Sequence, residues 1–139
     1  MNAANRFAES RNRADSVIFP DDIIKALLTR VGDKFRKDPA VIHSALFSLV
    51  SDYGEFLEEF EFDESGITPY SEMLDRVLFR LETTGYIGAV NPSYEQYVVD
   101  SGKRTGLLRS LQRFSSEQQA RLQEMGQRFA DLVRAQEHT

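Results

Sequence analysis

Cysteine and tryptophan are absent from this 139-residue chain, histidine occurs twice and proline four times. Without a thiol there is no disulfide framework, no zinc–thiolate site and no cysteine nucleophile. His43 and His138 are too far apart to spell out a local metal cluster or a nucleophile relay, and His43 reads as a helix residue at the boundary of the core. The eight glycines form no phosphate-cradling loop, and neither a G-x-S-x-G elbow nor H-E-x-x-H occurs. No catalytic residue, metal or cofactor is therefore expected. Long apolar runs are also missing. Charge interrupts each within a few residues, and the first sixteen lack the apolar centre of a signal peptide, so the chain reads as soluble and cytoplasmic, with no membrane partner. Basic residues are in the minority, 17 Lys plus Arg against 22 Asp plus Glu, for a net charge of -5.

What is present fits one small domain, because a chain of this length buries roughly two thirds of its unfolded surface without a metal or disulfide. Residues 1–16 hold Arg6, Arg11 and Arg13 but one large apolar side chain, and read as a frayed or disordered lead-in to a single domain over residues 17–139. Ile23, Ile24, Leu27, Leu28, Val31 and Phe35 recur at helical spacing behind Asp21 and Asp22, which favour a helix N-terminus. Asp38-Pro39 caps and starts a second helix carrying Val41, Ile42, Ala45, Leu46, Leu49 and Val50, to near Asp52. Tyr53 to Asp63 alternates Phe with Glu in part, which predicts an extended segment or short strand, with Leu57 fitting a last helical turn equally well. Thr68-Pro69 predicts the start of a third helix of about sixteen residues. Its stripe is Tyr70, Met73, Leu74, Val77, Leu78 and Leu81, and Gly85 suits a left-handed cap at its end. Tyr86–Val90 and Glu95–Val99 flank the turn-forming Asn91-Pro92-Ser93 as a hairpin. Two further helices follow, one with Leu107, Leu108, Leu111 and Phe114, the other opening on capping-box-like Ser115 and Ser116. The order predicts an α+β, mostly α, winged-helix-like domain with a two-stranded hairpin and C-terminal helices.

Charge is unevenly placed. Asp52, Glu55, Glu58, Glu59, Glu61, Asp63 and Glu64 are seven carboxylates in thirteen residues with no base among them. The Asp-x-Asp-x-Asp-Gly spacing of a calcium loop is missing, which leaves a solvated edge whose Phe side chains face inward, or an acidic docking face. Phe56, Phe60 and Phe62 favour docking, being more aromatic surface than a short edge segment easily hides. The outward positions of the third helix are Glu72, Asp75, Arg76, Phe79, Arg80, Glu82 and Thr83, a neutral to slightly acidic face that is poorly suited to phosphates. For nucleic acid the candidates are Arg76, Arg80, Lys103 and Arg104. For a protein partner they are Phe56, Glu58, Glu59, Glu61, Phe62 and Phe79.

Ile67-Thr68-Pro69-Tyr70-Ser71, followed by Leu74, Leu78 and Leu81 and then Thr84-Gly85-Tyr86-Ile87, resembles the Gly-Pro-Tyr-Ser helix and following segment of the YwgA-like and Panacea (antitoxin) families of small bacterial and archaeal proteins. Thr68 stands where those families have Gly, and the likeness runs from about Pro20 to Val133. The resemblance implies a non-enzymatic winged-helix-like module, antitoxin-like or regulatory, that binds another protein. On the residues alone Tyr70 opens a buried stripe and Ser71 serves the helix start. The leading expectation is thus a protein-interaction module whose partner has a basic surface. The alternative is a DNA-binding transcriptional regulator, a homodimer through the C-terminal helix with Leu122, Met125, Phe129, Leu132 and Val133 at its interface.

Overall fold

The computed structural model describes residues 19–89 and 96–137. The lead-in over residues 1–16 and the Asn91-Pro92-Ser93 turn lie outside them. The chain is α+β and mostly helical, with α1 at Pro20–Leu28, β1 at Lys34–Arg36, α2 at Pro39–Ser48, a single turn α3 at Gly54–Leu57 and α4 at Glu72–Thr83. Strands β2, Ile87–Ala89, and β3, Gln96–Val99, follow, then a 3-10 turn, α5 at Arg104–Leu111 and the long α6 at Ser116–Glu137. The three strands form one antiparallel sheet in the order β1-β3-β2, with Phe35 opposite Tyr97 and Ile87 opposite Val99. The expected hairpin is the β2-β3 pair, and β1 is an addition to it.

α1 is the hub. Ile23, Ile24, Ala26, Leu27 and Leu28 are all buried, and the helix packs against α4, α5 and α6. Nearly full burial is worth roughly 1.5–3 kcal/mol for each large aliphatic side chain, so this one helix organises much of the core. α6 lies across α1, α2 and β1. It approaches α1 closely at Gly126, where an added Cβ would stand 3.4 Å from the Leu27 Cα. Leu122, Met125, Phe129 and Val133 of α6 are buried within this same core. The apolar stripe expected at a dimer interface is therefore occupied by the chain's own α1 and α2.

Four boundaries differ from the expectation, the simplest being the second helix, which ends at Ser48 with Leu49 as its C-cap rather than near Asp52. The first helix stops at Leu28 rather than continuing to Phe35. Gly32 takes φ 81°, the left-handed region that favours glycine, and turns the chain so that Phe35 reaches the core from a strand. The Arg104 guanidinium donates to the Gly32 carbonyl at 2.9 Å and holds that turn. The third helix starts at Glu72 with Ser71 as N-cap, its Oγ accepting from the Leu74 N–H at 3.2 Å; Thr68-Pro69 is not its start, and its length is 12 residues. Gly85, at φ 86°, follows Thr84 at its end as expected. Finally, the acidic segment is not a strand. It forms α3, then turns, and pairs backbone only at the isolated bridge between Asp63 and Tyr70.

Candidate interaction face

His43 organises the start of α4. Its ring is 1% exposed, and its Nδ1 accepts the Ser71 backbone N–H at 3.0 Å, which leaves the proton on Nε2 to be donated to Asp75 Oδ1 at 2.9 Å. The Tyr70 ring stacks on the imidazole with centroids 5.0 Å apart, and its hydroxyl donates to Asp75 Oδ2 at 2.7 Å. That hydrogen bond, with a smaller contribution from burial, raises the Tyr70 phenol above its ordinary value. One buried imidazole thus joins α2 to the N-cap of α4 and to the loop that precedes it. This node was not legible in sequence. His43 and Asp75 are 32 positions apart, and the local signal was confined to the Tyr70-Ser71 pair.

Tyr70 in turn anchors the acidic loop. Its backbone exchanges hydrogen bonds with Asp63 at 2.7 and 3.0 Å. Asp63 accepts from the Ser65 hydroxyl at 2.6 Å and from its backbone N–H at 2.8 Å, and those two bonds hold its carboxyl below the usual range. The seven carboxylates then divide by function. Asp52 pairs with Arg128 and Glu55 with Arg121, both at 2.9 Å, tying the segment to α6. Glu58, Glu59, Glu61 and Glu64 are exposed and have no ion-pair partner among the described residues.

The Phe side chains mostly face inward. Phe56, expected at a partner surface, is 4% exposed, and Phe60 is likewise buried. α3 turns Phe56 toward α1 and the core, and the turn that follows it buries Phe60 while neighbouring carboxylates remain in water. Phe62 is half-buried, edge-on to Phe47 at 5.3 Å. Of the aromatic candidates Phe79 alone stands well exposed, at 65%.

Between the loop and α4 lies an open concavity of about 620 Å³, bordered by Glu59, Glu61, Asp63, Tyr70, Glu72 and Met73, with Arg76 at its edge. Arg76 is bound to Glu72 at 2.6 Å, so four carboxylates face one cation that is already paired. The other cations considered for nucleic acid are similarly engaged. Arg80 grips both oxygens of Asp21, at 2.8 and 2.6 Å, Arg104 holds Gly32 and Asp33, and the Lys103 ammonium lies 5.6 Å from the Tyr86 ring centroid. Arg76 and Arg80 share α4, whereas Lys103 and Arg104 stand beyond its C-terminal end near Gly85 and Gly32. Among the described residues no group of three or more His, Asp or Glu is placed to hold a metal ion, and no helix is long and apolar enough to cross a membrane. Comparison with protein-family models, with curated proteins and with solved structures finds no match to this chain.

Proposed function

We propose that the chain is a non-enzymatic, winged-helix-like interaction or regulatory module of the cytoplasm, antitoxin-like in character, which binds a protein partner through a basic surface on that partner. The order α1-β1-α2-α4-β2-β3, with the hairpin directly after α4 and β3 central in the sheet, supports the winged-helix reading. The observation that carries the binding reading is the concavity beside α4. Glu59, Glu61, Asp63 and Glu72 converge there with Tyr70 and Met73, an arrangement that offers carboxylates to a Lys or Arg and an apolar wall to its aliphatic stem. Glu58 and Glu64 extend the field that steers such a partner, and Phe79 lies further along the same helix.

Capture experiments test this. Immobilised wild-type chain is expected to retain basic proteins from its native lysate at moderate salt and to lose them at high salt, and Glu58→Lys/Glu59→Lys/Glu61→Lys is expected to lose the same set. An identical captured set with the variant overturns the assignment. The pairing of Arg76 and Arg80 to carboxylates favours a protein over duplex DNA as partner. Binding to random duplex that falls steeply with salt would support the DNA-binding regulator instead.

A further inference from the structure

A second face of α4 combines a protruding side chain with a space able to receive one. Between α2, α4 and β3, Ile42, Leu78, Tyr97 and one side of Phe79 line an apolar groove of about 170 Å³ that Lys37 and Glu82 also border. Apolar sites of about 150 Å³ accommodate a benzene ring, so the groove is large enough for a phenyl side chain. Phe79 does not fill it, being 65% exposed. The rim is self-complementary in charge as well. Asp75 also borders the groove, but both its oxygens are held by His43 and Tyr70. Lys37, 5.3 Å from the Tyr97 ring centroid, and Glu82 have no ion-pair partner among the described residues.

We propose that this face binds a second copy of the chain about a two-fold axis, the Phe79 of each copy entering the partner's groove and Lys37 of each meeting the partner's Glu82. A two-fold contact requires a single patch to carry both members of every pair, and the patch carries both pairs. An exposed aromatic anchor entering a pocket is the usual energetic centre of such contacts, and the flanking ion pair sets its register. The inference assigns Phe79 to a second copy rather than to the basic partner, and it does not rest on the acidic concavity, so the two readings fail separately.

Sedimentation equilibrium from micromolar to millimolar concentration tests it, with circular dichroism as a control for folding. The wild type is expected to dimerise. Phe79→Glu, a surface change, is expected to weaken the dimer about a hundredfold. Lys37→Glu and Glu82→Lys are each expected to weaken it about tenfold. An equimolar mixture of these two single variants is expected to recover the affinity, because one then carries acids at both positions 37 and 82 and the other bases at both. Glu59→Lys/Glu61→Lys is expected to leave the dimer unchanged. A wild type that stays monomeric throughout, a dimer indifferent to Phe79→Glu, or a mixture no tighter than its components overturns the proposal.

Discussion

At the scale of single residues, His43 shows how a buried polar group is made tolerable. Its two ring nitrogens have distinct jobs, one accepting the Ser71 N–H and the other facing Asp75, and no buried side-chain nitrogen or oxygen among the described residues lacks a partner. Removing the imidazole exposes the cost it offsets. His43→Leu keeps the approximate volume but leaves the Ser71 N–H buried without an acceptor, and is expected to lower the unfolding free energy by about 2 kcal/mol in urea titrations. A loss below about 0.5 kcal/mol would show that the start of α4 is held by other contacts. A different balance governs Tyr97, whose phenol is pushed up to about 12, chiefly by burial and then by the charges of Glu82 and Asp75.

At the scale of elements, closeness of approach matters more than residue type. Alanine at Gly126 would bring a Cβ within 3.1 Å of the exposed-side-chain Arg30 Cγ, a flexible neighbour, and its higher helix propensity of about 1 kcal/mol offsets that crowding. Gly126→Ala is thus expected to lie within about 1 kcal/mol of wild type by thermal or urea unfolding. Gly126→Val adds a branched side chain against the Leu27 backbone, which cannot yield as a side chain can, and is expected to cost about 3 kcal/mol. Equal stabilities for the two variants would remove the argument that α1 and α6 meet backbone to backbone. The same distinction explains what the sequence made legible. Val31 and Phe35 were correctly read as core residues because their spacing registers burial. Spacing does not register the path between them, and the turn at Gly32 converts the end of a helix into a strand. Phe56 and Phe60 alternated with Glu because their faces alternate between core and water, which a short helix and turn achieve as well as a strand does. Gly85 and the Ser115 cap, whose hydroxyl accepts from Gln118 while the Gln118 side chain accepts from Ser115, were readable because both depend on local chemistry. The acidic face was legible as charge. Its concavity was not, since Tyr70 and Asp63 must first be brought together by pairing and Tyr70 must be fixed by an imidazole from another helix.

At the scale of the whole molecule, the net charge of -5 is a poor guide and its placement a good one. Two of the seven carboxylates in the acidic run are paired with α6, at sites exposed enough that solvent screens most of the attraction. Glu59 and Glu61, unpaired and gathered with Asp63 and Glu72 around the concavity, are repelled there in the free protein, so their convergence does not serve the fold. Glu59→Lys/Glu61→Lys is therefore expected to leave the unfolding free energy from urea titration unchanged or slightly raised, by up to about 0.5 kcal/mol, even as partner capture is lost. A clear drop in stability would make those glutamates structural and weaken their assignment to binding.

The contact between α1 and α6 also fixes a sequence of events in time. The hub helix is made well before its cover, with nearly the whole described chain between Leu27 and Gly126. During synthesis the side of α1 that packs on α6 must wait uncovered until α6 has left the ribosome, while α4 and α5 are made earlier. The loop that must then close is long, and closing it delays folding far more than it weakens the finished structure. A nascent chain of this kind presents its acidic loop well before its core is sealed, so the interval between those two moments is when it depends most on whatever else in the cell can shield it.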